Sequence, residues 1–243
     1  MKLSKSSFYL LFFICAFLAC KTNKYQYGKC IIQKSTDTVA LQKTIANIRG
    51  LQNELFEEGT FTSKENIQIK YRLFKPGIFP RETTLPLVVV FHGSGAIGTD
   101  NKSQLGVLAK LFAMPDIQSQ YPAYILAPQF PARSSNYVLD SNRNVIVSTP
   151  QNCFYAALQL IDSLKKVLKI DEKRIYAVGF SMGGSTVINA LSARPDLFAA
   201  GVSIAGIPQF DSIESLSKIP IWLMHGNKDT ENPLRVMNNF IKK

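Results

Sequence analysis

The chain has 243 residues, 46% hydrophobic and 19% charged, a balance that suits one folded domain of ordinary size and excludes a disordered chain. Its formal charge of +11 leaves room for an anionic partner, but the basic residues are scattered and no nucleic-acid motif accompanies them. No Cys or His cluster has metal-ligand spacing, and no motif implies a cofactor.

Residues 1–19 read as an export signal. Lys2 and Lys5 give a positive start, and Phe8 to Ala19 form an uncharged apolar run, shorter than the ~20 residues of a membrane span. The closing Phe17-Leu18-Ala19-Cys20 resembles the bacterial lipobox, with Phe17 where that pattern prefers Leu. The resemblance implies lipid modification of Cys20, a polar tether over Lys21 to Lys29, and an exported protein of the periplasm or cell surface. Ordinary signal cleavage is the alternative, and the lipid is the one membrane contact expected. Beyond the signal, Cys30 and Cys153 remain, and one bridge between them is open in an oxidising compartment.

Val39 to Glu58 places Leu41, Ile45, Ile48, Leu51 and Leu55 at helical spacing, so residues 20–60 read as tether and N-terminal helical segment. The alternation of Phe61 to Phe74 predicts a strand or hairpin, stopped by Pro76-Gly77. Residues 61–243 then switch between short apolar runs and helical patterns. Leu87 to Phe91 and Tyr124 to Ala127 read as strands buried on both faces, and Arg174 to Phe180, Ala199 to Ala205 and Ile219 to Met224 as further strands. Helices are expected over Leu105 to Phe112, Asn152 to Leu168, Met182 to Ser192 and from Pro233 onward. Gln129 to Thr149 is expected to be a long surface loop near the site. The densest basic group, Lys165, Lys166, Lys169, Lys173 and Arg174, falls at a helix end, where cations favour the dipole. Alternating strands and helices predict an α/β fold: a mostly parallel sheet, helices on both faces, and a ligand site at the carboxyl ends of the strands.

Three motifs follow strands in this order. Gly179-Phe180-Ser181-Met182-Gly183 is a G-x-S-x-G pattern between a strand and a helix. A serine on that sharp turn is lifted clear of the sheet at a helix N-terminus, where negative charge is favoured, so Ser181 is the candidate nucleophile. Phe91-His92-Gly93-Ser94-Gly95 follows the most hydrophobic strand. Its glycines let backbone N–H groups face an oxyanion, with Met182 as one donor and Ser94 as the other, Gly93 or Gly95 being alternatives. His92 at the strand end is expected to brace this loop, not to catalyse. Trp222 to Asp229 ends a strand in His225-Gly226, and Asp229 three residues on is the candidate carboxylate of a Ser–His system, with Glu231 a weaker one.

Pro86 to Gln104, Ala127-Pro128-Gln129, Gly179 to Gly184, Arg194 to Ala200 and His225 to Asp229 together resemble α/β-hydrolase esterases of the "predicted peptidase" type. These are relatives of polyhydroxybutyrate depolymerases and feruloyl esterases, and the likeness covers most of the chain from about Phe61. It implies Ser181 as nucleophile, Asp229 as triad acid, Ser94 and Met182 as oxyanion donors, and small-molecule or polysaccharide-linked esters as substrates. The order Ser, Asp, His also calls for a histidine after Asp229, whereas the chain has only His92 and His225. A copy truncated before its catalytic histidine, and missing a C-terminal strand, is therefore expected. Peptidase activity on the same machinery is one alternative reading. An inactive surface binding lipoprotein is another.

Overall fold

The computed structural model describes residues 37–77, 79–80, 82–210 and 216–232. The export signal, Cys20, the tether, Cys30 and the helix expected from Pro233 lie outside the described residues. Two compact units divide at Gly50. In the first, helix α1 (Thr38–Arg49) is capped by Asp37, whose carboxylate accepts the N–H groups of Val39 and Ala40, as an N-cap aspartate does. The helical pattern expected through Glu58 stops early, and Phe56 already opens a strand.

The second unit holds a seven-stranded sheet. Its strands are β1 (Phe56–Thr62), β2 (Gln68–Phe74), β3 (Leu85–Phe91), β4 (Tyr124–Gln129), β7 (Ile170–Phe180), β8 (Ala200–Ile204) and β9 (Ile221–Met224), in the order β1-β2-β4-β3-β7-β8-β9. β1 and β2 are the hairpin anticipated around Phe61 to Phe74, and both β1/β2 and β2/β4 pair antiparallel. Within this sheet, the pairings β4/β3, β3/β7, β7/β8 and β8/β9 are all parallel. This is the mostly parallel α/β sheet expected from the alternation of elements, and it fits the α/β-hydrolase architecture that the resemblance implies.

Burial explains the pattern. β3 (Leu85-Pro86-Leu87-Val88-Val89-Val90-Phe91) is the central strand and is almost wholly buried, so both faces had to be apolar. Further helices among the described residues are α2 (Val107–Phe112), α3 (Pro115–Gln120), α4 (Asn152–Lys165) and α5 (Met182–Ala193). Helix α3, with Pro115 in its first turn, is too short to show a period in sequence. The paired neighbours of β3 set the site. The chain passes from β3 to β4 on one side and returns to β7 on the other, a reversal that opens a crevice at the carboxyl ends of β3 and β7.

The stretch from Gln129 to Thr149 is not an irregular loop. β5 (Ser135–Asp140) and β6 (Val145–Pro150) pair antiparallel from Ser135↔Pro150 to Asp140↔Val145. What disguises the hairpin is polar residues on its buried side. Ser134, Ser135 and Ser148 are fully buried because α5 supplies their partners. The Ser148 hydroxyl donates to Asn189 Oδ1 at 3.0 Å, Asn189 Nδ2 donates to the Ser135 Oγ at 3.0 Å, and the Ser134 and Thr186 hydroxyls meet at 2.8 Å. Hydrophobic periodicity has no way to register a strand held by hydroxyls.

The bridge that the sequence leaves open between Cys153 and Cys30 involves a residue outside the described ones. Cys153 is a buried free thiol whose Sγ donates to the Arg133 carbonyl at 3.2 Å. Two of the five basic residues at the end of α4 are paired locally, Lys165 at 2.9 Å from Glu172 and Arg174 at 2.6 Å from Asp171.

Candidate active site

Ser181 sits between β7 and α5 with φ 56° and ψ −120°. A positive φ is costly for a residue with a side chain, and such strain persists only where its surroundings impose it. They do so here. The Ser181 N–H donates to the Ile204 carbonyl at 2.8 Å, and its carbonyl accepts the Ser185 N–H at 3.0 Å. The two glycines of the motif are required by contact. A Cβ on Gly179 would lie 2.2 Å from the Gly183 carbonyl oxygen, and one on Gly183 would lie 2.1 Å from the Phe91 carbonyl oxygen. Gly183 is what lets α5 start against the end of β3. Because Met182 opens α5, its N–H has no intrahelical acceptor.

The loop after β3 approaches the same point. Gly93 abuts Ser181 so closely that an added Cβ would lie 3.7 Å from the Ser181 Cβ. Its orientation comes from His92, which is 7% exposed. The Phe130 N–H donates to His92 Nε2 at 3.0 Å. That fixes Nε2 as the acceptor, so Nδ1 carries the proton and donates to the Gly93 carbonyl at 2.7 Å. Burial lowers the His92 pKa, opposed by its bond to Gly93 and by the charge of Asp100. A neutral His92 with both nitrogens engaged holds the Gly93–Ser94 peptide, whose N–H points away from the pinned carbonyl.

The rest of the loop hangs on β2 and β4. Gln129 Oε1 accepts the Asn101 N–H at 2.6 Å, and its Nε2 donates to Asp100 Oδ1 at 2.7 Å and to the Ala96 carbonyl at 3.2 Å. Arg72 Nε donates to the Asn101 carbonyl at 2.7 Å. The Ser103 hydroxyl and the N–H groups of Ser103 and Lys102 hold the Asp100 carboxyl well below the usual carboxylate range.

A cleft of about 480 Å³ joins these pieces, lined by Ser94 and Ser181, by Arg133, Asn136, Tyr137 and Val138 at the hairpin, and by Glu231 and Asn232 after β9. Of the three candidate loop donors, Ser94 lines the cleft, whereas Gly93 and Gly95 line a separate apolar pocket beside α2. Asp229 is close by but not in the lining. Its Oδ1 accepts the N–H groups of Glu231 and Asn232 at 3.1 and 2.9 Å, and its Oδ2 lies 3.6 Å from His225 Nε2. Neither histidine lines the cleft. Glu231, the weaker carboxylate candidate, does so. Arg133, Asn136 and Asn232 carry no sequence motif, and the first two fall in the stretch expected to be a loop.

Residues 136–240 match the prolyl oligopeptidase family. Over 84 residues the chain is 34% identical to the bifunctional acetylxylan esterase/xylanase XynS20E of Neocallimastix patriciarum, a stretch covering 35% of this chain and 12% of that protein. Among solved structures, a thermostable esterase superposes with a TM-score of 0.71 at 35% identity, over 78% of this chain and 51% of that one. An acylaminoacyl peptidase complexed with Z-Gly-Gly-Phe-chloromethyl ketone has a TM-score of 0.53 at 21% identity, over 85% and 36%, a likeness of fold alone. The chain thus spans about an eighth of that curated relative and half of the similar esterase structure. The chain has the α/β-hydrolase fold, and its likenesses lie among the esterase- and peptidase-type hydrolases of that superfamily.

Proposed function

We propose that the chain is a carboxylic-ester hydrolase with Ser181 as nucleophile. The observation that carries this reading is the strained Ser181 elbow, which opens with Ser94 on one cleft. Ser181 Oγ adds to the ester carbonyl, and the oxyanion accepts the N–H groups of Met182 and Ser94. The alcohol leaves, and water then releases the acid from the acyl-enzyme. Asp229, held by two backbone N–H groups, is the carboxylate that orients an imidazole. His92 is engaged at both nitrogens and His225 lies outside the cleft lining. The base in this mechanism is therefore an imidazole that these 243 residues do not supply.

Free imidazole in the assay supplies such a base. Hydrolysis of 4-nitrophenyl acetate by the 243-residue chain is expected to rise with imidazole well above that of Ser181→Ala under the same conditions. A triad without its histidine loses about 10⁴- to 10⁶-fold in turnover, so only part of the rate returns. Equal rates in the two proteins speak against the reading. The match of residues 136–240 to a peptidase family favours peptidase action as the second reading, and faster imidazole-dependent cleavage of a peptide anilide than of the ester would select it. Turnover in neither substrate leaves the binding-lipoprotein reading. Export, with Cys20 as a lipidated N-terminus, belongs to the same proposal and is checked by the mass of the mature N-terminus.

A further inference from the structure

Two residues of the cleft, Arg133 and Tyr137, have no part in the mechanism above. Tyr137 is fixed to the nucleophile helix, its hydroxyl 3.2 Å from the Ser185 Oγ, one turn beyond Ser181. The Arg133 guanidinium carbon lies 5.0 Å from the centre of the Tyr137 ring, within range of a cation–π contact. Arg133 Nε donates to the Ser135 carbonyl at 3.2 Å, and the Arg133 carbonyl accepts the Cys153 thiol. Both ends of the residue are thus held.

What these contacts leave over is the Nη1 and Nη2 pair, which has no acceptor among the described residues. A guanidinium that is stacked and fixed at Nε presents its outer N–H groups in a planar fork, the geometry that matches a carboxylate. Arg133 and Ser181 line one cleft of about 480 Å³, a size that fits a single small ligand. A group on the Arg133 fork and an ester at Ser181 therefore belong to one molecule. Glu231 lines the same cleft and repels a carboxylate, which favours the orientation that puts the anion on Arg133.

We propose that Arg133, stacked on Tyr137, is a subsite for a carboxylate carried by the ester substrate. The proposal rests on the ester-hydrolase reading and narrows its substrate class to acidic esters. The carboxylate has two sources, the acyl part (the half-ester of a dicarboxylic acid) or the alcohol part (a uronic acid acylated on a hydroxyl, its carboxylate free).

Equilibrium binding to the 243-residue chain separates them without turnover. Calorimetry would compare monomethyl succinate with methyl succinamate, and the methyl glycoside of glucuronic acid with methyl glucoside. At least one acid is expected to bind about 10- to 100-fold more tightly than its neutral partner, the range of a charge-assisted pair. The acid that shows the preference identifies the acyl or the alcohol side. Arg133→Gln should abolish the preference with its thermal unfolding unchanged, and Arg133→Lys, which keeps the charge but not the fork, should lose most of it. Acid and neutral forms that bind alike, absence of binding at about 10 mM, or a preference that survives Arg133→Gln would each overturn the proposal. Ser181 reactivity is read separately, so failure here leaves the hydrolase assignment standing.

Discussion

Replacing Gly183 by Ala sets two effects of opposite sign against each other. Intrinsic helix propensity favours Ala over Gly by up to about 1 kcal/mol, so a local view expects the substitution to stabilise α5. The structure places the new Cβ 2.1 Å from the Phe91 carbonyl oxygen, 2.6 Å from its carbon and 2.8 Å from the His92 carbonyl oxygen. Against an ordinary contact of 3.4 Å, the helix start must retreat by about 1.3 Å from the end of β3. The opposing atoms are backbone atoms of the central strand, which cannot rotate away. Overpacking of that kind costs about 3 kcal/mol, so the net change is destabilising by about 2 kcal/mol. For a unit of this size that lowers the thermal midpoint by roughly 4–8 °C. Gly95→Ala is the matched control, because nothing lies within 4 Å of its added Cβ. Urea unfolding of both variants provides the measurement. A Gly183→Ala midpoint equal to or above wild type, or two variants that behave alike, refutes the close approach of α5 to β3. The same retreat moves Met182 relative to Ser94, and a displacement of about 1 Å in a reacting constellation can cost 100-fold in rate.

Asn189, 1% exposed, bonds both Ser148 and Ser135, so Asn189→Ala leaves the buried Ser148 hydroxyl without its partner and the Ser135 hydroxyl with only its 3.4 Å contact to Thr186, at about 1–2 kcal/mol each. A loss of about 2–4 kcal/mol in urea, with faster proteolysis within residues 135–150, is expected. For His92, the folded pKa is lowered by burial, so below the ordinary imidazole pKa of about 6.5 the unfolded chain binds the proton first. Stability is therefore fully present above that pH and falls as the pH drops from about 7 toward the folded pKa. His92→Gln should flatten that part of the urea-midpoint profile, and an unchanged slope would contradict the neutral brace. Burial also raises the Cys153 thiol pKa, so its peptide should stay unlabelled by a thiol reagent until the protein is unfolded in urea. Rapid labelling of the folded chain would place that thiol at the surface.

Much of this fold is legible in the residues because it rests on burial. The apolar run of β3 and the strand–turn–helix around Ser181 announce themselves, since a strand covered on both faces and a crowded elbow tolerate few residue types. Two separate segments of the resemblance, Pro86 to Gln104 and Ala127-Pro128-Gln129, meet in the structure, where Gln129 ties the loop after β3 to β4 through three hydrogen bonds. The hairpin of β5 and β6 is illegible for the opposite reason. Beside Val145, its buried residues are Ser135 and Ser148, whose place depends on Asn189 and Thr186 some forty to fifty residues away. Arg133 and Tyr137 fall in the same stretch, and no sequence motif marks the contact between them. Leu51 and Leu55 continue the helical spacing of α1, but the helix ends at Arg49 and Phe56 to Thr62 are drawn into pairing with β2.

The most direct test of the central claim is phosphonylation of the 243-residue chain by a fluorophosphonate in the presence of imidazole, with the adduct located by mass spectrometry. The account requires a single adduct on Ser181, faster with imidazole and absent from Ser181→Ala. An unmodified Ser181 after prolonged exposure, or an adduct elsewhere that forms equally well in Ser181→Ala, would contradict it.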